Sequence, residues 1–161
     1  MGESGDYLIK FHNFNLLMFL GEYKNNLGDK NRIAVPKKLR DQFNGALILT
    51  RGYEGCLLLV DYKRWNFLLE QINRKALLSL SVRDTKRYII GGALNIDLDS
   101  QGRFVLPESL KMFANIENEV IFLGVGEWIE IWNSEKWSNK LKYLSENVSD
   151  LAEKLSEIKN D

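Results

Sequence analysis

The chain has 161 residues, of which 45% are hydrophobic and 27% are charged, values typical of a globular domain and not of a disordered tail or a fibre. A single cysteine, Cys56, and a single histidine, His12, exclude an internal disulfide, a paired-cysteine zinc site and Ser-His-Asp or Cys-His catalysis. Basic and acidic residues both number 22, so any attraction for nucleic acid has to come from local charge.

Residues 1–17 show no clear hydrophobic period, and we expect them to form an N-terminal extension that is not part of the fold. The apolar run at 16–20 is too short for a secretory signal, and no stretch reaches the 18 or more apolar residues of a membrane span. The chain also lacks a phosphate-binding glycine loop. We therefore expect a cytoplasmic protein with no membrane partner, no metal and no cofactor.

The only two prolines of the chain occupy the same place in two similar segments. Pro36 follows Arg32 and three apolar residues, and Pro107, 71 positions later, follows Arg103 and three apolar residues. Each proline is followed by two polar residues and a leucine. The sequence therefore predicts an internal duplication of about 45 residues.

The elements of the first copy follow from its apolar runs and helix caps. A short apolar run after Arg32 predicts a strand, and Pro36 then opens a helix, because its missing N–H has no partner in the first turn. A hairpin and a longer helix complete the copy. The predicted elements are a helix at Lys37–Phe43, strands at Ala46–Leu49 and Cys56–Val60, and a helix from Asp61 to Leu78.

The second copy has the same order of elements, with a strand after Arg103 and a helix opened by Pro107. The tryptophans of both copies lie at strand ends or helix starts, which predicts core or interface positions for them. The predicted elements are a helix at Glu108–Phe113, strands at Val120–Leu123 and Trp128–Trp132, and a helix from Asn133 or Ser134 to about Ile158.

A segment of about 45 residues buries too little apolar surface to be stable alone, so each copy needs the other as its partner. We therefore predict an α+β domain with pseudo-two-fold symmetry, in which the two copies share a sheet or a barrel. The two arginine-bearing turns should occupy symmetrical places in it.

The segment before each arginine predicts a tight turn. In the second copy Asp99 can accept backbone N–H bonds across the turn, and Gly102 permits a positive φ. In the first copy Asn31 tolerates the left-handed conformation, but Gly28 offers no side-chain acceptor. A guanidinium group on a rigid turn suits a phosphate or a guanine, because its planar fork of donors matches either partner.

Six segments of the chain stand in a distinctive order: Phe19–Tyr23, Arg32–Pro36, Arg83–Arg87, Gly92–Ala93, Asp99–Pro107 and Ile129–Trp132. Together they resemble the MraZ family of bacterial regulators, which are built from two SpoVT-AbrB repeats. The resemblance covers about residues 18–150. Asp99 and Arg103 match the family's DxxxR turn in the second copy, whereas only Arg32 matches in the first, where Gly28 and Asn31 replace the aspartate and the glycine.

The resemblance implies a duplicated swapped-hairpin, AbrB-like β-barrel with short helices and a C-terminal helix. On this basis we divide the chain into repeats at 22–64 and 93–136, a linking helix and basic segment at 65–92, and a C-terminal helix at 137–161. The resemblance also implies a cytoplasmic, nucleoid-associated transcriptional regulator of the division and cell-wall gene cluster. Such proteins form ring-like homo-oligomers and contact double-stranded promoter DNA through their arginine-bearing turns.

Local charge favours the same function. Residues 24–40 hold six basic side chains against one acidic, and residues 74–87 hold five against one, whereas residues 95–135 hold two against eight. We expect the first copy to supply most of the attraction for phosphate. The predicted DNA-binding residues are Arg32, Arg103, Lys30, Lys24, Lys37, Lys38, Arg83 and Arg87, and the predicted turn-supporting residues are Asp99, Gly102 and Asn31.

Several features have a second interpretation. Arg83 and Arg87, at helical spacing, are equally compatible with ion pairs within or between subunits. Carboxylate pairs for acid–base catalysis are conceivable at Glu127 with Glu130 and at Asp97 with Asp99, but nothing nearby indicates a substrate pocket, so we expect no enzyme. The alternative function is an oligomeric interaction scaffold that does not bind DNA.

The C-terminal segment carries apolar residues at alternating spacings of three and four, which predicts a helix with one narrow apolar face. This face either packs onto the chain's own fold or contacts a neighbouring subunit. Its residues are Leu141, Leu144, Val148, Leu151, Leu155 and Ile158.

Overall fold

The computed structural model describes residues 8–11 and 14–158. The strands in this part are β1 Leu8–Phe11, β2 Phe14–Leu17, β3 Phe19–Asn26, β4 Arg32–Ala34, β5 Leu47–Arg51, β6 Leu57–Asp61, β7 Leu94–Ile96, β8 Arg103–Val105, β9 Glu119–Gly126 and β10 Ile129–Asn133. The helices are α1 Lys37–Arg40, α2 Tyr62–Asn73, α3 Leu80–Ile89, α4 Glu108–Ala114, α5 Ser134–Glu146 and α6 Val148–Glu157. Of the N-terminal extension expected at 1–17, β1 and β2 form an antiparallel pair, and the remainder, with His12, falls outside the described residues.

The main sheet interleaves the two repeats. Its six antiparallel strands have the order β3-β9-β10-β6-β5-β7. β3 of the first repeat pairs with β9 of the second, and β7 of the second pairs with β5 of the first. β6 and β10 meet at the centre, where Leu58 lies opposite Glu130. Exchanging the two repeats reverses the strand order, which is the pseudo-two-fold relation that the duplication predicted.

β4 and β8 form a separate antiparallel pair, the ribbon, with one strand from each repeat. Ile33 lies opposite Phe104, its equivalent in the other repeat, so the two-fold relation also passes through the ribbon. The ribbon brings the two predicted turns side by side, and the N–H of Val35 donates to the C=O of Gly102 at 2.9 Å.

The α+β class is confirmed, with antiparallel sheets and several helices. The closed β-barrel that the resemblance implied is not found in the strand pairing of residues 14–158. β3 and β7 are the edges of the main sheet and do not pair with each other, and the ribbon is a separate two-stranded sheet.

One apolar cluster joins the main sheet, the ribbon and the short helices of both repeats. Burying one large aliphatic side chain stabilises a fold by about 1.5–3 kcal/mol, so this shared core holds the repeats together. Trp65 and Trp137, predicted as core or interface residues, are buried at 6% and 7% exposure in two smaller clusters, and Cys56 is buried at 1% in the cluster of Trp137. The main cluster includes Phe19, Ile33, Leu39, Leu49, Leu59, Phe104, Leu110, Phe122 and Ile131.

The predicted caps of the two longer helices are confirmed, but their lengths are not. Asp61 and Asn133 each accept the N–H of the residue three positions on, as N-caps do. The helix predicted from Asp61 to Leu78 ends at Asn73, and a separate helix begins at Leu80. The short helix expected at Lys37–Phe43 spans only α1, which ends at Arg40.

The single C-terminal helix that the sequence predicted is broken at Asn147 into α5 and α6. Asn147 has φ −118°, outside the helical region, and its side-chain amide and backbone N–H both donate to the C=O of Tyr143. Side chains of this type compete with the helical hydrogen bonds of the backbone. Leu144 packs on the cluster that contains Trp137, whereas the apolar residues of α6 are exposed: Val148, Leu151 and Leu155 at 62%, 37% and 69%.

Within residues 14–158, no helix combines the length and the apolar character needed to cross a lipid bilayer.

Candidate nucleic-acid interface

The two predicted arginines lie on one face of the ribbon. Side chains alternate along a strand, and Ile33 and Phe104 face the core at 1% and 3% exposure. Arg32 and Arg103 therefore belong to the outward face, on which Val105 is 55% exposed. Arg32 is exposed and Arg103 is half-buried. The structure thus brings together two guanidinium groups that lie far apart in the sequence.

Asp99 organises the second turn. Its Oδ1 accepts the N–H groups of Gln101 and Arg103, each at 2.9 Å, and its Oδ2 accepts the Nε–H of Arg103 at 2.8 Å. Gly102 has φ +73°, in the left-handed region that glycine adopts without strain. The Arg103 guanidinium is therefore held against the turn by a carboxylate of the same turn.

The same contacts lower the pKa of Asp99 below its usual range. The largest cause is the hydrogen bond from the backbone N–H of Arg103, and the hydrogen bonds from the Arg103 side chain and the Gln101 backbone act in the same direction. Each of these bonds favours the ionised carboxylate over the protonated acid. Asp99 is therefore a carboxylate throughout the physiological pH range.

The first turn shares one backbone hydrogen bond with the second, but it has a different conformation and lacks the equivalent of the Asp99 carboxylate. The N–H of Gly28 donates to the C=O of Arg32 at 2.7 Å, just as the N–H of Asp99 donates to the C=O of Arg103 at 2.8 Å. The left-handed conformation expected for Asn31 is found, with φ +58°. Its neighbour Lys30 also has a positive φ, +56°, which the sequence did not predict.

Each turn is linked to the short helix of the other repeat by one hydrogen bond. Nη1 of Arg40, at the end of α1, donates to the C=O of Gln101 in the second turn at 2.9 Å. Nδ2 of Asn31 in the first turn donates to Oε2 of Glu108, the first residue of α4, at 2.9 Å. The Arg40 guanidinium lies so close to Gly102 that a Cβ there would be 1.5 Å from Nη1.

The sequence did not single out Arg40 or Glu108 for any role beyond their charge. The signal that points to them is the duplication itself. Because two-fold symmetry places β4 beside β8, the helix that follows each strand starts next to the turn of the other repeat.

The remaining predicted cations divide between the ribbon and other surfaces. Lys30, Lys37 and Lys38 are exposed in the first turn and in α1, whereas Lys24 lies on β3 and both Arg83 and Arg87 lie on α3. Exposed ion pairs are worth only about 0–1 kcal/mol, so such contacts do not prevent a cation from binding phosphate. The contacts are Lys24 to Glu119 at 2.7 Å, Lys37 to Asp41 at 2.5 Å, Arg87 to Asp84 at 2.8 Å, and Arg83 to the C=O of Leu78 at 2.6 Å.

Two of the four carboxylates considered for catalysis, Asp99 and Glu130, make hydrogen bonds within the fold. Asp97 and Asp99 follow the end of β7 and do not share a strand face, and both oxygens of Asp99 are bound by the turn. Oε2 of Glu130 accepts the indole N–H of Trp132 at 2.7 Å. In the part of the chain that the structure describes, no group of three or more His, Cys, Asp or Glu residues is placed to hold a metal ion.

Comparison with known proteins places this arrangement in a family. The family model described as "MraZ protein, putative antitoxin-like" matches residues 18–88 and 89–157, one match to each repeat. The transcriptional regulator MraZ of Clostridium beijerinckii is 37% identical over 143 residues, covering 88% of this chain and 99% of that protein. The proteins of the same name from Roseiflexus sp. and Clostridium acetobutylicum are 35% and 38% identical, each covering 88% of this chain and 99% of the relative.

Both repeats match the family model, and the relatives are matched over nearly their whole length. The chain therefore belongs to the MraZ family.

Proposed function

We propose that this chain is a transcriptional regulator that binds double-stranded promoter DNA through the outward face of the ribbon. One observation carries the proposal: Arg32 and Arg103, from opposite ends of the duplication, share that face. The relatives named transcriptional regulator support a role in transcription. No enzymatic activity is part of this proposal.

The two arginines are suited to different parts of the DNA, one to the bases and one to the phosphate backbone. Arg103 is held through its Nε by Asp99, which leaves its Nη groups for a bidentate acceptor such as the O6 and N7 of guanine. The turn of Arg32 lacks the equivalent carboxylate but lies in the more basic repeat, beside Lys30 and the lysines at the start of α1. We assign Arg103 to base recognition and Arg32, with Lys30, Lys37 and Lys38, to the phosphate backbone.

Lys24, Arg83 and Arg87 complete the proposed DNA-binding set as more distant phosphate contacts. Their intrachain bonds are exposed, so exchange for phosphate costs little free energy. Asp99, Gly102 and Asn31 support the turns and do not themselves contact DNA.

The proposed assembly is a ring-like homo-oligomer with several ribbons. The exposed apolar face of α6 supports this part of the proposal, because no other segment within residues 14–158 covers it. Repetition raises the avidity of weak individual sites without any new type of contact. The exchange of strands between repeats supports the swapped-hairpin class, and we place the regulator in the cytoplasm, on the nucleoid, at the division and cell-wall gene cluster.

The proposal is tested by titrating the protein against a promoter fragment of that gene cluster at several salt concentrations. Log affinity should fall linearly with log salt, each neutralised phosphate contributing about −0.9 to the slope. The double variant Arg32→Ala/Arg103→Ala should lose about 1–3 kcal/mol of binding free energy per arginine while keeping its fold and its oligomer size.

The matched control is Lys63→Ala/Lys142→Ala, which removes the same charge from exposed positions outside the ribbon and outside the basic segments. If the control and the double variant bind DNA equally well, the ribbon is not the DNA-binding site. If the unmodified chain shows no salt-dependent binding to DNA, the interaction scaffold becomes the better function.

A further inference from the structure

We infer that Arg40 and Glu108 are positioning residues, each of which fixes the turn of the other repeat so that the two turns act as one unit. The inference rests on the proposed function, because it concerns how the ribbon presents its arginines. We call the contacts of Arg40 with Gln101 and of Glu108 with Asn31 the cross-braces.

The first cross-brace acts on one peptide unit of the second turn. Arg40 binds the C=O of Gln101, and the N–H of the same peptide, on Gly102, donates to the C=O of Asp99 at 2.9 Å. A peptide unit is planar, so fixing its oxygen also fixes the direction of its N–H. Arg40 therefore holds the orientation of the peptide that closes the turn just before Arg103.

Gly102 shows that the place of Arg40 is built into the turn. This glycine is buried, and any Cβ there would lie 1.5 Å from Nη1 and 2.4 Å from Cζ of Arg40. The absence of a side chain thus serves two purposes: it permits φ +73° and it makes room for a guanidinium from the other repeat.

The second cross-brace supplies what the first turn lacks. Gly28 has no carboxylate to bind the turn, and Asn31 has to hold φ +58°. Glu108 provides a carboxylate from the other repeat and accepts the Asn31 side-chain amide at 2.9 Å. Each turn thus has a charged anchor, Asp99 within its own turn in one case and Glu108 across the ribbon in the other.

Cross-braced turns are preorganised for a rigid partner such as duplex DNA. A turn that is already ordered loses less conformational entropy on binding than a free one, and affinity rises accordingly. Arg40 and Glu108 contribute in this way without contacting DNA.

The Arg40 cross-brace is tested with Arg40→Ala, Arg40→Lys and the control Lys38→Ala, which removes one exposed positive charge from the same helix. In the protein without DNA, Arg40→Ala should speed amide hydrogen exchange at Gly102 and Arg103, while Lys38→Ala leaves it unchanged. Arg40→Ala should also weaken promoter binding roughly threefold to tenfold relative to the unmodified chain, the worth of one hydrogen bond. Lys38→Ala is the control for hydrogen exchange only, because Lys38 is itself a proposed phosphate contact. Arg40→Lys should recover part of both effects.

For Glu108, loss of the negative charge and loss of the hydrogen bond should change the DNA affinity in opposite directions. Removing a negative charge near DNA raises affinity, as Glu117→Ala should show from an exposed position in the same repeat. Glu108→Gln removes the charge but keeps an oxygen that accepts from Asn31, so it should bind as well as Glu117→Ala or better. Glu108→Ala removes both and should bind roughly threefold to tenfold more weakly than Glu108→Gln.

The inference would be overturned if Arg40→Ala left hydrogen exchange at Gly102 and Arg103 as unchanged as Lys38→Ala does, and if Glu108→Ala and Glu108→Gln bound DNA equally well. Failure of the proposed function would look different: the unmodified chain would bind no DNA. The hydrogen-exchange measurement does not need DNA, so it would still show whether the cross-braces order the turns. If Arg40→Ala does not fold, Arg40→Lys and the Glu108 pair give the same decision.

Discussion

Asp99 shows how one side chain sets the geometry of a turn. Its two oxygens accept two backbone N–H groups and the Nε–H of Arg103, so turn shape and arginine direction have a common cause. The sequence predicted this role from an aspartate followed by a glycine, because both are local properties of the chain. It did not predict the partners of Asn31 and Arg40, which lie 77 and 61 positions away.

The lowered pKa of Asp99 leads to a prediction at the same scale. A carboxyl group whose folded pKa is depressed adds stability above its unfolded pKa and loses it as pH falls through the folded pKa. We expect the Asp99 carboxyl carbon, followed by NMR during acid titration, to titrate below the ordinary aspartate value of about 3.9. The contribution of Asp99 to the turn should therefore be complete at neutral pH and be lost only as pH falls below the ordinary aspartate range.

Arg103→Ala provides the comparison for this titration. The substitution removes the side-chain hydrogen bond but keeps the backbone N–H of residue 103, which is the largest cause of the shift. The pKa of Asp99 should rise in the variant yet stay below its ordinary value. A return to the ordinary value would show that the backbone bonds do not hold the carboxylate.

Among the helices, α2 and α5 start at equivalent places in the two repeats, but their capping residues differ in burial. Asp61 and Asn133 cap α2 and α5 in the same way, but Asp61 also accepts the N–H of Asn44 at 3.0 Å and pairs with Arg64. Asp61 and Arg64 are 0% and 4% exposed, and the Arg64 guanidinium lies 4.2 Å from the centre of the Phe19 ring. The pseudo-symmetry thus supplies a matched pair of caps, one with a buried charge and one without.

Asp61→Ala should destabilise the protein by about 3–5 kcal/mol, because it leaves the buried Arg64 without its carboxylate. Asn133→Ala removes an equivalent cap and should cost about 0.5–2 kcal/mol. Urea unfolding of both variants and the unmodified chain measures the difference. Equal losses would mean that the cap alone, and not the buried ion pair, accounts for the effect of Asp61.

Helix lengths were the weakest part of the sequence-based prediction. The spacing of apolar residues continues through Asn147 and past Asn73, and periodicity alone therefore predicted unbroken helices. At Asn147 the side-chain amide donates to the C=O of Tyr143 and φ is −118°, a local feature that a hydrophobic pattern does not register. The starts of these helices were predicted correctly because a cap is a property of one residue and its immediate neighbours.

At the scale of the whole molecule, neither repeat possesses a complete sheet of its own. β3 and β5 of the first repeat both pair with strands of the second, and the ribbon takes one strand from each. The arginine-bearing face thus exists only when both repeats are folded together.

Separating the repeats should therefore abolish cooperative folding. Fragments 18–88 and 89–157, the two segments matched by the family model, should each lack the thermal transition of the full chain, and mixing them should restore it. Circular dichroism during heating measures this. A fragment that melts alone as the full chain does would show that its own strands suffice for a stable core.

The duplication, the strand and short helix after each arginine, the N-caps of α2 and α5, and the Asp99 turn could all be predicted from the amino-acid sequence. The duplication is visible as two matching patterns, and the other features depend on residues that are neighbours in the chain, so composition, period and turn chemistry suffice for them. The folded structure was needed to show that the main sheet is interleaved, that its strand pairing does not close into a barrel, and that each short helix contacts the turn of the other repeat. These features depend on pairing between residues as far apart as Phe19 and Gly126, where hydrogen bonds and packing choose among several arrangements that the same local pattern permits.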